Sequence, residues 1–200
     1  MLRFPPASCL LALALAASGG TRGGPELRTG DVVFQTSRST QSAAIQRATA
    51  SPWSHVGIVE VANDGTFVIE AVGPVSRTPW QRWRARGVRG RVLVMRASSL
   101  DPVRLARAVA EAKGQLGKPY DPLFGWDDDA VYCSELVSKA FARGAGVVLG
   151  RLERLGDLRL AEVEREVRER YRGRAPGGLL VVTPASIAAD PHLVRVFEGS

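Results

Sequence analysis

The chain is poor in the residues that most often carry chemistry: two cysteines and two histidines among 200 positions, with aromatics at 6%. It also lacks an apolar run of the ~20 residues that a bilayer-spanning helix needs. The apolar run that comes nearest, Cys9 to Ala17, is well short of that. It follows a single early positive charge, Arg3, and leads into Ser18-Gly19-Gly20, which is the pattern of a secretory signal peptide. Residues 1–19 are therefore read as a signal, 20–28 as a Gly-rich linker and 29–200 as one domain. The expectation is a protein exported to the periplasm or cell envelope, with no stable membrane insertion once the signal is cleaved. Cys9 stands at the start of the apolar run, whereas a lipid anchor needs a cysteine just after it. No internal repeat is visible, which excludes a solenoid. There is no basic stripe interleaved with aromatics, so a single-strand nucleic-acid binder is excluded too. The formal charge of +7 comes mainly from arginines, clustered at Arg82 to Arg91 and Arg165 to Arg174. They read as solvated surface with a general preference for polyanions.

Scarcity gives Cys133 its weight. With Cys9 inside the signal, Cys133 is the one thiol the mature domain keeps, and a lone thiol forms no internal disulfide. It is either a small buried hydrophobe or a reactive group.

What is present reads as α+β. Gly30-Asp31 opens a short buried strand, Val32-Val33-Phe34, and Ala44, Ile45 and Ala48 give a helical spacing between Ser37 and Ala50. Val56 to Val61 and Thr66 to Ala71 flank Asn63-Asp64-Gly65, a strong hairpin signal. Arg91 to Met95 reads as a further strand. Asp101-Pro102 starts a helix through about Lys113, with Val103, Leu105, Ala106, Val109 and Ala110 as its apolar stripe. A helix runs from Cys133 to about Ala142. Leu152 to Arg172 is a charged amphipathic stretch, and Leu179 to Val182 reads as a strand ahead of a capped helical turn at Thr183-Pro184. The whole predicts a mostly antiparallel sheet with helices packed on it.

Leu136, Val137, Ala140 and Phe141 follow Cys133 at +3, +4, +7 and +8, so the thiol shares the sheet-facing side of its helix. It also lies in the first turn, where unpaired N–H groups and the helix dipole favour an anion. A nucleophilic cysteine needs a base. His192, among turn residues, reads as exposed, which leaves His55 at the start of the first hairpin strand. For an orienting carboxylate, Glu60 is an odd number of residues from His55 and points to the other face. Glu70 has the right face, but a two-residue Asp64-Gly65 loop pairs it with Val59, ~13 Å along the strand from His55. The pairing therefore requires a longer loop, a bulge or a shifted register. Asp127-Asp128-Asp129 lacks the alternating spacing of a calcium loop, and neither a metal nor a cofactor is expected.

Taken in order, Gly30 to Phe34, Ser54-His55-Val56-Gly57-Ile58, Ile69-Glu70-Ala71, Gly117-Lys118-Pro119-Tyr120-Asp121, Tyr132-Cys133-Ser134-Glu135-Leu136-Val137 and Val182-Thr183-Pro184 resemble the permuted papain-like cysteine hydrolases of the YaeF/YiiX type, circularly permuted relatives of the NlpC-type cell-wall amidases. The resemblance covers Gly30 to Phe197, with Leu152 to Gly178 matching only loosely. It implies a permuted papain-like fold, with Cys133 as nucleophile at a helix N-terminus, His55 as base and Glu70 as the third polar residue. Backbone N–H groups around Cys133 and Ser134 would hold the oxyanion, and Tyr132 or Tyr120 could add a hydroxyl. The implied reaction is amide hydrolysis through a thioester, on cell-wall stem peptides. Two alternatives stand beside it: a lipid-directed acyltransferase or esterase on the same Cys–His pair, and a non-catalytic binding module in which Cys133 is structural.

Overall fold

The structure, a computed structural model, describes residues 24–200; the signal-peptide reading and the first part of the linker lie outside the described residues. After a turn at Gly30, β1 (Val32–Gln35) is buried at all four positions, the apolar Val32-Val33-Phe34 followed by the polar Gln35, as a central strand covered on both faces should be. α1 (Thr40–Thr49) is capped by Ser39, whose Oγ accepts from the Ser42 N–H. β2 (His55–Ala62) and β3 (Gly65–Ala71) form the expected hairpin. Its loop is Asn63-Asp64 rather than Asp64-Gly65, because Ala62 pairs with Gly65, which takes a φ of +137°. Glycine meets that conformation without a Cβ penalty.

β4 (Val75–Pro79) returns beside β3, α2 (Trp80–Arg86) crosses one face, and β5 (Val92–Arg96) pairs with the free side of β1. β8 (Val194–Gly199) closes the far edge, giving the order β4-β3-β2-β1-β5-β8 with every pair antiparallel. β4, α2 and β8 are additions to the sequence reading. The two strands are edges with a single neighbour, so their sequences keep polar residues such as Ser76, Arg77 and Arg195 in place of an apolar run. In α2 the three arginines Arg82, Arg84 and Arg86 hide the buried pair Trp80 and Trp83, which stack 5.5 Å apart.

The two faces of the sheet carry separate cores. Val33, Val59, Val68, Val92 and Val94 meet Trp80 and Trp83 on one side. Val32, Phe34, Val56, Ile58 and Ile69 meet the helices α3 (Pro102–Lys113) and α4 (Cys133–Ala140) on the other. α3 is capped as read, Asp101 Oδ1 accepting from Arg104 N–H at 2.9 Å, but its stripe is corrected: Ala108, Val109 and Ala112 are buried, while Val103 is 60% exposed. Choosing 105, 108, 109 and 112 keeps the i, i+3, i+4, i+7 spacing that one helix face requires.

After a π-helical turn at Phe141–Ala145, the segment from Leu152 makes its own small unit. β6 (Glu153–Arg154) pairs with β7 (Leu180–Val181) apart from the main sheet, and α5 (Glu164–Tyr171) lies between them in sequence. Leu155, Ala175 and Val181 form a satellite core there. α6 (Pro184–Ala188) starts from a capping box at Thr183 and Ser186.

Candidate active site

His55 is the first residue of β2 and pairs with Gln35, the last of β1, so it stands at the end of the sheet. It shares a face with Val59, on the tryptophan side, and its ring lies 6.3 Å from that of Trp83. Cys133 opens α4 in the opposite layer. The two meet because both occupy the end of their element, and the thiol lies close enough to the imidazole to raise its proton affinity.

The Asn63-Asp64 loop shifts the register by two residues from the one a Asp64-Gly65 loop implies. Continuing the ladder from Ile58↔Ile69 brings Glu70 opposite Gly57 rather than Val59. Glu70 is then the diagonal same-face neighbour of His55, within reach of long side chains, and His55 Nε2 meets Glu70 Oε2 at 2.6 Å. No bulge is needed. Gly57 keeps the diagonal open, since a Cβ there would stand 2.5 Å from Val68 Cγ1 and 2.9 Å from the Ile69 carbonyl. With Nε2 occupied by Glu70, Nδ1 is the nitrogen left for the thiol.

Glu70 is fully buried. Its Oε1 accepts from Thr78 Oγ1 at 2.6 Å and from Arg86 Nη2. Burial pushes its carboxyl up, and the hydrogen bonds and charges of His55, Thr78 and Arg86 outweigh that and hold it below the usual carboxylate range. Burial likewise pulls His55 down, but Cys133 and Glu70 more than reverse it and raise the imidazole to about 9. Buried charge survives only where partners replace lost hydration, and this site supplies them.

The start of α4 is pinned from two sides. Glu135, also fully buried, accepts from the Tyr132 N–H at 3.2 Å and faces Lys139 Nζ at 2.6 Å; burial outweighs the lysine and pushes its carboxyl to about 7. Tyr132 OH accepts from Val182 N–H at 3.0 Å, and Ser134 Oγ donates to the Val182 carbonyl at 2.8 Å. The Ser134 hydroxyl is thereby spent on the backbone, and its N–H is what it can offer a substrate. Tyr120 OH accepts from Gln41 Nε2 at 2.8 Å, and burial and the nearby Cys133 push its phenol up. Asp128 binds Lys139 and Arg143, so the acidic run ties a loop to α4 and its neighbour.

Cys133, Ser134, Tyr120, Tyr132 and Gln41 all line one groove of ≈ 800 Å³. Its walls are mainly apolar, with Ala44, Ile45 and Ala48 from α1 and Leu160, Val163 and Val167 from the segment of α5, and charged residues such as Arg47, Glu166 and Arg170 also line it. Arg47 ties the walls together through Glu166 Oε1 at 2.6 Å, and the Arg159 N–H donates to the Ala48 carbonyl at 3.0 Å.

A strand histidine set against a cysteine at a helix start is the papain-like arrangement, reached here with the histidine first in the chain. The model of a family described as "Permuted papain-like amidase enzyme, YaeF/YiiX, C92 family" matches residues 26–197. The chain belongs to this permuted papain-like family. A protein of Escherichia coli (strain K12) named "Uncharacterized protein YiiX" is 41% identical over 172 residues, spanning 84% of this chain and 85% of that one. A solved structure titled "Crystal structure of metalloprotein yiiX from Escherichia coli O157:H7, DUF1105" superposes with a TM-score of 0.83 at 39% identity, covering 86% of this chain and 97% of the other. As a permuted papain-like amidase the protein is a cysteine hydrolase, and its α+β fold agrees with that neighbour.

Gln41, Thr78 and Arg86 escaped the sequence reading. For Arg86 a signal existed: Trp80, Trp83 and Arg86 follow one another at three-residue spacing, so Arg86 lies on the side of α2 that carries buried Trp83.

Proposed function

We propose that the protein hydrolyses amide bonds with Cys133 as nucleophile, His55 as acid and base and Glu70 as the group that orients His55. The observation that carries this is the continuous chain from the first turn of α4 through the imidazole to a buried carboxylate, opening on a groove at the thiol end. His55, whose proton affinity is raised, takes the proton of Cys133, so the reacting pair is thiolate and imidazolium. The thiolate attacks the carbonyl carbon, forming the C–S bond, and backbone N–H groups of Cys133 and Ser134 receive the oxyanion. As the C–N bond breaks, His55 gives its proton to the leaving amine. His55 then takes one proton from water, whose oxygen attacks the thioester, and the C–S bond breaks to release the carboxylic acid and the thiolate.

Two substrate readings follow. The export expected from the sequence and the resemblance to cell-wall amidases point to stem peptides. The lining of the groove favours the second, an amide or ester that carries a long apolar acyl group, because apolar walls of this extent leave a polar peptide's groups unpaired. The neighbour's title calls it a metalloprotein, but among the described residues no three His, Cys, Asp or Glu side chains converge as metal ligands. The test pairs purified protein and Cys133→Ser with peptidoglycan fragments and with hexadecanoyl amides. Turnover by wild type alone, on either substrate, supports the nucleophile. Equal turnover by Cys133→Ser defeats it, and the preferred substrate decides between the readings.

A further inference from the structure

We propose that Arg86 is a positioning residue for the hydrolysis described above, on which this inference rests: it acts through Glu70, holding the carboxylate ionised and aimed at His55 throughout the reaction. In such a cycle His55 alternates between imidazolium and neutral imidazole. While it is an imidazolium, Glu70 has a cation beside Oε2. Once the proton has left for the amine, a fully buried carboxylate faces a neutral ring, and burial then favours taking the proton back. Arg86 is the second cation, bound to Oε1, the oxygen His55 does not use. A guanidinium is a permanent cation in proteins. Glu70 therefore stays anionic in both half-reactions, and the proton goes to the leaving group instead of to the His55–Glu70 pair.

Three further observations fit this role. Arg86 belongs to α2, in the tryptophan layer across the sheet from α4, and it is absent from the groove lining, so it does not meet substrate. Thr78 Oγ1 shares Oε1 at 2.6 Å, so the acceptor is fixed by two donors from different elements. Arg86 Nε is buried without a hydrogen-bond partner, a cost that surface placement would avoid and that holding Nη2 on Glu70 accounts for.

The charged groups around His55 are Cys133 from α4, Glu70 from β3 and, behind Glu70, Arg86 from α2. Removing the arginine removes a cation from this set and tightens the hold of His55 on its proton. With two histidines in the chain, the His55 titration is read by NMR of ring-labelled protein, assigned by its loss in His55→Gln. Arg86→Gln should raise the proton affinity of His55 by about threefold or more, and Arg86→Lys should return it towards wild type. In a Glu70→Gln background, Arg86→Gln should leave His55 unmoved. Where Arg86→Gln does not fold, Arg86→Met, which keeps the buried stem, replaces it. An unchanged His55 titration in these variants overturns the proposal, as does the same change with Glu70 already removed. Iodoacetamide labelling of Cys133 in His55→Ala separates the two readings: a rate equal to wild type defeats the Cys–His pair itself, whatever Arg86 does.

Discussion

At the level of single residues the site is a row of charges that each need the next. Cys133→Ser keeps the size and the helix start, so the fold should survive while turnover falls by roughly a thousandfold or more; matched circular dichroism with a progress curve checks both halves. His55 supplies the pH dependence. Its folded value of about 9 lies above its ordinary 6.5. The stability it contributes is fully present below pH 6.5 and is lost as pH rises through 9. Urea midpoints measured from pH 6 to 10 should therefore fall over that window, and the fall should be smaller in His55→Gln. Turnover should decline on the same alkaline limb, because a neutral imidazole has no proton for the leaving amine.

Among elements, the hairpin decides whether there is a site at all. Gly57→Ala places a methyl against Val68 and the Ile69 carbonyl, which should cost about 1–3 kcal/mol of stability and slow iodoacetamide labelling of Cys133 as Glu70 is pushed off the diagonal. Asp101→Ala, at the N-cap of α3 remote from the groove, should cost about 1 kcal/mol and leave labelling unchanged; chemical denaturation beside the labelling assay tests the contrast. The strands of this hairpin, the caps at Asp101 and Thr183 and the start of α4 were legible because each follows from local periodicity or turn chemistry. The register was not. Asn63-Asp64 and Asp64-Gly65 are both acceptable two-residue loops and leave every side chain on the same face. They differ in the cross-strand partners, Ile58 standing opposite Ile69 and Val59 opposite Val68 here, where the other loop would set Ile69 opposite Glu60 and Val59 opposite Glu70. The edge strands β4 and β8 were hidden for the converse reason: with one neighbour each, they do not need the apolar pattern that marks a strand. Arg86 was lost inside a run of arginines whose charge outweighed the spacing of its tryptophans.

For the molecule as a whole, the groove is where α1, the loop before α4 and the α5 segment converge around Cys133. If an acyl chain occupies it, Ala44→Trp should reduce kcat/KM for a hexadecanoyl amide by about tenfold or more while leaving an acetyl amide nearly unaffected. Equal losses on both would remove the acyl reading and leave the nucleophile in place. Ala44 is half-buried on α1 and belongs to none of the hydrophobic cores, so such a variant should remain folded.

The base hangs from the tryptophan layer and the thiol from the helical one, and the end of the sheet is their meeting point. Neither half is useful without the other. A chain still in synthesis, or one stretched or partly melted, carries a plain sulfhydryl and a plain imidazole that do not find each other. Hydrolytic power thus arrives only when both layers have closed, and the labelling rate of Cys133 doubles as a gauge of how completely the protein has assembled itself.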